Sequence, residues 1–407
     1  MFCELIINAI PEMVKFFQQL DLYFYFTKPQ IKHMQAFIVA MMLNSFGGKI
    51  THVSDLSLHS SRTSIGRFLD SDSWNEAYLL QTLNKHVITT IYAKAKETNL
   101  PIYAIIDDTI CEKAVPSSKA KQPISGCSFH MSHLHNKMVY GHQFVTVMLR
   151  CGDLVLPYNI VLYEKEVCSK IEVARLAIIS LPKPVSRGYV LTDSWYSCQT
   201  LFEAAQSVGY EFIGAVKSNR LIFPRGNRKK GVQIGTYARS LRFSDLDYVT
   251  VNGQVYYTYT YLGKINGMRK VKIVISWPKD ALFLPKAMKA FISTDIKMSG
   301  RQLLHHYTKR WPIEVFFREA NRRLGMKHCQ VHSNKAVIRY QYILMLCYTF
   351  CGLEINGDSL GFSKTRRVYQ NAIERFHISW IYQQAQNNVD LSYLYSVFKL
   401  NDSVFHK

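Results

Sequence analysis

The chain has 407 residues, 50 of them Lys or Arg against 29 Asp or Glu, for a formal net charge of +21, and 48 % of it is apolar. That much apolar material excludes global disorder, and the length exceeds what one core usually organises, so two or three domains are expected. A cation excess of this size makes the compact state repel itself. A polyanion relieves the repulsion, which favours nucleic acid as a partner over a merely solvated basic surface.

Nine Cys are scattered without a CxxC pair, a usage that suits a reducing cytoplasm rather than a disulfide framework. "MFCELIINAIPEM" lacks the basic leader of a signal peptide. The longest apolar stretches, "AFIVAMML" and "YILMLCYTFCGL", fall short of the roughly 18 residues that cross a bilayer. The expectation is a soluble cytoplasmic protein.

Residues 1–97 read as helical, with apolar residues at helical spacing in "PQIKHMQAFIVAMMLNSF" and "WNEAYLLQTLNKHVITTIYAKAKE". Between these runs, Ser54 and Ser60 are candidate N-caps of two short helices. Two readings are open: a helix-turn-helix whose second helix, near Arg62 to Leu69, enters a DNA groove, or an ordinary helical bundle.

From residue 98 the texture changes. "PIYAIIDDT" is an apolar run ending in two aspartates, and "HQFVTVMLR" and "LVLPYNIVLY" are strands around a turn at Cys151-Gly152-Asp153. "KIEVARLAIISL" is helical, "GYVLTDSWY" is a buried-type strand reaching Asp193, "SCQTLFEAAQSVG" is a helix and "YEFIGAVKSNR" a strand. Three strands followed by alternating helix and strand predict a mixed sheet covered by helices.

Residues 221–287 interrupt this pattern. Three strand patterns joined at Asn252-Gly253 and Asn266-Gly267 predict an antiparallel β insertion, because both turn residues tolerate positive φ. "KAFISTD" resumes a strand whose Asp295 reads as a turn cap. Ser299 and Gln302 form a capping box for the next helix, and the rest is helical. The domain expectation is therefore 1–97, then 98–220 with 288–407, interrupted by 221–287.

Acids brought together at one sheet edge repel unless a cation lies between them, and hard oxygen ligands suit Mg²⁺ or Mn²⁺. Two such ions promote in-line attack at a phosphodiester. The pair Asp107-Asp108 and Asp193 offer acids at two strand ends, and a helix beside those strands must supply a third. "YTKRWPIEVFFREANRRLG" (residues 307–325) offers Glu314 and Glu319 among five cations.

In these motifs the chain resembles the DDE-type transposases of bacterial insertion sequences. That family has a ribonuclease-H-like core and a late helix with a Tyr-x2-Arg-x3-Glu-x6-Lys signature. Tyr307, Arg310 and Glu314 match in type and spacing; Asn321 stands where Lys is expected, with Arg322, Arg323 and Lys327 as nearby substitutes. The resemblance runs from about residue 98 to 350. It implies an α/β fold: a ribonuclease-H-like mixed sheet with flanking helices, interrupted by the β insertion and preceded by the helical domain, which would bind DNA ends.

It further implies that Asp107, Asp193 and Glu314 are catalytic and hold two Mg²⁺ ions, with Mn²⁺ as substitute. Asp108 is the alternative first acid, since strand alternation points the two side chains to opposite faces. Lys217 and Arg220, in a run of six Lys or Arg without an acid, join Tyr307, Arg310, Arg322, Arg323 and Lys327 as DNA contacts. By the same analogy Trp277 stacks on a flipped base; the competing reading is a buried strand-end Trp. Glu319 reads as an ion-pair partner, about 140° around the helix from Glu314.

The implied activity is metal-dependent nicking at element ends and strand transfer of the 3′-hydroxyl. The partners are double-stranded DNA, as terminal inverted repeats and target, and a second copy of the chain; the setting is the bacterial nucleoid. A ribonuclease-H-like nuclease without strand transfer and a catalytically silent DNA binder are the alternatives. Cys127, His130, His133, His135 and His142 lack zinc spacing and read as a loop whose imidazoles face phosphates. The cluster "SKTRRVYQNAIERF" either tracks phosphates too or lies on an exposed helix.

Overall fold

A computed structural model describes residues 10–43, 46–55, 61–119, 124–132, 136–225, 229–353 and 360–398. The N-terminal part is helical: α1 (Pro11–Gln19), α2 (Leu22–Tyr25), α3 (Lys28–Met42), α4 (Ile50–Asp55), α5 (Arg62–Asp70) and α6 (Glu76–Thr98). Thr27 and Gln30 box the start of α3, and Asn75 caps α6. Ser54 lies inside α4, where its hydroxyl donates to the Thr51 carbonyl, so it is no N-cap. Ser61 caps α5 instead, and Ser60 lies outside the described residues. The α4–α5 connection that would decide a helix-turn-helix also lies outside them.

The strands are β1 (Ile102–Glu112), β2 (Ser128–Ser132), β3 (Lys137–Cys151), β4 (Leu154–Tyr163), β5 (Gly188–Thr192), β6 (Glu211–Val216), β7 (Leu221–Ile222), β8 (Val232–Gln233), β9 (Asp247–Val251), β10 (Gln254–Ile265), β11 (Met268–Pro278) and β12 (Lys289–Ser293). Helices α7 (Lys170–Ile179) and α8 (Gln199–Ser207) link the middle strands, and α9 (Ile234–Ser240) lies in the insertion. After β12 come α10 (Gly300–Thr308), α11 (Pro312–Arg322), α12 (Asn334–Gly352), α13 (Phe362–Gln386) and α14 (Leu391–Val397).

The central order is β4–β3–β1–β5–β6. β3 runs antiparallel to both β4 and β1, whereas β1, β5 and β6 are parallel. This is the mixed sheet with flanking helices that the sequence predicts. "SFHMS", read as loop from sequence, is β2, recruited by the long β3 beside it. The insertion does not stand apart: β12 pairs β6, β11 pairs β12 and β10 pairs β11, so the described strands form one 12-stranded sheet. The turn at Asn252-Gly253 has φ of 50° and 78°, the double positive φ expected there.

Strand alternation divides the core. Ile102, Ala104 and Ile106 point to the face covered by α7 and α8, and Tyr103 and Ile105 to the opposite face. That opposite face shares one continuous core with the N-terminal helices and with α10–α13, through Phe37, Phe68, Phe316, Leu344 and Ile373. The two ends of the chain are thus packed together. Arg339 of α12 is fully buried where they meet. Its guanidinium donates to the carbonyls of Phe68, Leu69, Asp72 and Trp74 and pairs with Glu76 at 3.0 Å. These carbonyls close α5 and lead into α6, so one side chain ties the α5–α6 corner to the C-terminal helices. Arg366 of the second basic cluster is likewise buried, donating to the Met41 carbonyl at 3.2 Å, and is not a phosphate contact.

Removing one partner of such a buried polar cluster leaves the rest unsatisfied. Arg339→Ala is expected to destabilise the protein by about 3–5 kcal/mol, seen as a lower urea midpoint; an unchanged midpoint would refute this role.

Candidate active site

The register of two strands places the first two acids. The last parallel pairs of β1 and β5 are Ile105 with Leu191 and Ile106 with Thr192. The next residue on each side is Asp107, still in β1, and Asp193, just past the end of β5. Asp107 is not at a strand end, as its sequence context implies. β1 continues to Glu112 along β3, and what ends at Ile106 is the pairing with β5. Beyond Thr192 the chain turns, and the Trp195 amide donates to Asp193 Oδ1 at 2.9 Å.

Period two separates the adjacent aspartates. Asp107 follows Tyr103 and Ile105 to the face where α11 packs, and Asp108 follows Ile106 to the other. There Asp108 accepts from Tyr196 Oη at 2.7 Å, from Lys170 Nζ at 3.1 Å and from Gln143 Nε2. Its lone pairs are occupied, which leaves Asp107 as the acid facing α11.

Pro312 decides how α11 meets the strands. α10 stops at Thr308, and a new helix starts with Pro312 at its first position, where a missing N–H costs nothing. Bonds from Ile313 N to Arg310 O (3.2 Å) and from Glu314 N to Trp311 O (3.0 Å) hold the junction. Glu314 therefore sits in a first helical turn, where the dipole favours a carboxylate. Ile313, Phe316 and Ala320 seat the helix in the core. Glu319 pairs with Arg323 at 2.7 Å.

Arg310 lies between the acids. Its Nη1 pairs with Asp107 Oδ2 at 2.7 Å and its Nη2 with Glu314 Oε1. Tyr307 stands behind it, 5.9 Å from ring centroid to guanidinium, and packs on Phe291. Burial pushes the Tyr307 hydroxyl up to about 12, so it is protonated at neutral pH and is no ready nucleophile. Burial also lifts the Asp107 carboxyl to about 7; Asp193 pushes the same way and Arg310 opposes both.

Among the described residues, no three His, Cys, Asp or Glu side chains come close enough together to hold a metal ion. The donor chemistry nonetheless fits a hard divalent ion. Asp107 is a partly buried carboxylate beside a second acid, an arrangement a cation relieves. Asp107 and Asp193 could hold such an ion, and Glu314 is linked to the same place through Arg310, which pairs with both Asp107 and Glu314.

The other expected contacts divide. Lys217 and Lys327 line the cleft that Asp107 and Asp193 share, and so does Asn321, so Lys327 stands beside the missing signature lysine. Arg322 is on the exposed end of α11, and Arg323 is held by Glu319. Arg220 donates to the Ser197 carbonyl at 3.0 Å and so braces the loop after Asp193. Trp277 is 2 % exposed and packs against Phe283, so it is the buried strand-end Trp and faces no base. His130 and His142 are buried, bonded to Ser128 and to the Ser125 carbonyl, and held neutral by burial, His130 at about 4. Rings buried in this way do not face phosphates; His133 and His135 lie outside the described residues. Sequence reasoning missed Lys170 and Trp195, which line the same cleft. The only signal was the aromatic two residues after Asp193.

The family model described as "Transposase DDE domain" matches residues 105–350, well over half of the chain. Among solved structures, a piggyBac transposase synaptic complex with hairpin DNA is similar, with a TM-score of 0.41 and 12 % identity, covering 89 % of this chain and 76 % of that one. No curated protein matches.

A carboxyl raised to about 7 must lose its proton to bind a cation. Mn²⁺ affinity of the DNA-free protein, titrated by electron paramagnetic resonance, is expected to fall as pH drops from about 8 to about 6, approaching tenfold per unit below the pKa. Asp107→Asn should flatten this dependence and Asp108→Asn should keep it; the opposite pattern would assign the ligand to Asp108.

Proposed function

The chain belongs to the transposase DDE domain family, whose members cut and join DNA with divalent metal ions, and from this premise we propose that Asp107, Asp193 and Glu314 are its catalytic acids. The protein is a DNA transposase; the proposal concerns which residues do the work and on what. Its main support is that the pairing register sets Asp107 beside Asp193 while Arg310 links Asp107 to Glu314.

The ions proposed are two Mg²⁺, replaceable by Mn²⁺, and when bound they supply Lewis-acid stabilisation of charge at the phosphodiester oxygens. The chain's own residues hold and orient the DNA. Arg310, once exchanged off the carboxylates, offers two parallel N–H donors that suit a phosphate. Tyr307 backs that guanidinium. Lys217 and Lys327 neutralise phosphates along the cleft, and Arg322 extends the basic surface at the end of α11.

The substrates proposed are terminal inverted repeats and target DNA. Residues 1–97 are proposed to grip the element ends, with Arg62 and Arg67 exposed on α5 as candidate contacts. The core would be 98–220 with 288–407, carrying 221–287 as an insertion. Two copies of the chain are proposed to hold the two ends in the cytoplasm, at the nucleoid. Among the described residues no helix is long and apolar enough to cross a membrane.

The experiment is cleavage and joining of a repeat-bearing fragment with a target plasmid in Mg²⁺. Glu314→Gln should lower product formation by more than about 100-fold, since even the partners that orient metal ligands cost 10- to 100-fold. Retardation of the same fragment in a gel should persist. Wild-type cutting by this variant would remove Glu314 from the site.

A further inference from the structure

The acidic cleft carries a feature that metal chemistry does not use. Trp195 is 46 % exposed, although indoles usually bury most of their surface. It is not a loose surface residue. Its amide bonds Asp193 Oδ1 at 2.9 Å, so its backbone is tied to an acid of the site. Two ammonium groups lie over its ring: Lys170 Nζ is 4.7 Å and Lys217 Nζ 5.3 Å from the centroid. Lys170 is itself anchored by Asp108 at 3.1 Å, and all of these groups line one cleft with Asp107 and Asp193.

We propose that Trp195, flanked by Lys170 and Lys217, is a nucleotide platform: an unstacked base of the DNA strand in the cleft lies on the indole, and the lysines take its phosphates. The proposal rests on the reading of this cleft as the DNA-cutting site. A nucleotide combines one flat π surface with one negative charge, which is the complement of an aromatic face between two cations. Lys217 is exposed and can move from the ring to a phosphate, while Lys170 stays fixed by Asp108. Bases inside a duplex are covered by their neighbours, so the platform selects a strand end or an opened nucleotide. Such a contact orients the strand beside Asp193 without taking part in bond breaking, which makes Trp195 a positioning residue.

The test is binding by fluorescence anisotropy with EDTA present, so that no cutting occurs. The probes are a labelled oligothymidylate of about 12 nucleotides and a blunt duplex of similar length. Trp195→Ala should weaken oligothymidylate binding by about 5- to 100-fold, the range of losing one base–aromatic stack. Duplex binding should change less than about twofold, and Trp195→Phe should restore most of the loss because a phenyl ring also stacks. Lys217→Ala should reduce the salt slope for the single strand by about 0.7. Unchanged oligothymidylate binding in Trp195→Ala would overturn the proposal. So would an equal loss on both probes, or no recovery with Phe. Because this assay involves no cleavage, it can fail while the acid assignment holds, and the acid assignment can fail while it succeeds.

Discussion

The site depends on where the parallel pairing of β1 with β5 stops. Up to Ile106 and Thr192 the strands are tied by backbone hydrogen bonds, and directly after that pair both carry an aspartate. Two carboxylates held on adjacent strands repel, and burial of Asp107 sharpens the repulsion because little water remains to screen it. The fold tolerates this because one cation already lies within reach. The acids are close because sheet geometry holds them, and their charge would draw a cation into the cleft.

Arg310 is that cation in the protein alone, and its position follows from Pro312. A continuous helix through residues 300–322 would carry Arg310 and Glu314 along one rigid face. The restart at Pro312 places Arg310 in the junction instead, where its guanidinium spans from the first turn of α11 to β1. An ion pair at this depth loses hydration on both sides and is stabilising only while its geometry is good. On the proposed assignment a divalent ion would compete for the same oxygens and a DNA phosphate for the same guanidinium, which would couple metal and DNA binding through a single side chain.

The rest of the molecule makes this arrangement stiff. The insertion strands continue the central sheet through β12, so they cannot swing independently of β6. The N-terminal helices and α12–α13 bury one core in common, with Arg339 bonded across it. A basic surface built on such a frame presents its charges at fixed spacing, which a regularly spaced polyanion requires.

Much of this was legible in the sequence, because it is written in local chemistry. Period-two and helical spacing located the elements of the sheet, Asn-Gly located the insertion hairpins, and the resemblance to the transposase signature, through Tyr307, Arg310 and Glu314, pointed to one glutamate of two. Even the choice of Asp107 over Asp108 is a matter of parity, once the face that α11 covers is known. Contacts between distant segments were not legible. Nothing near Trp277 in the chain says that Phe283 covers it, and nothing near Arg366 says that it reaches Met41. The role of Trp195 needed Lys170 and Lys217, which arrive from a helix and a loop on either side of it. Burial and cross-strand register are sums over long-range contacts that residue spacing does not encode. The sequence alone therefore determined the chemistry available to this protein, and only the tertiary structure decided which acids, cations and rings meet in one cleft.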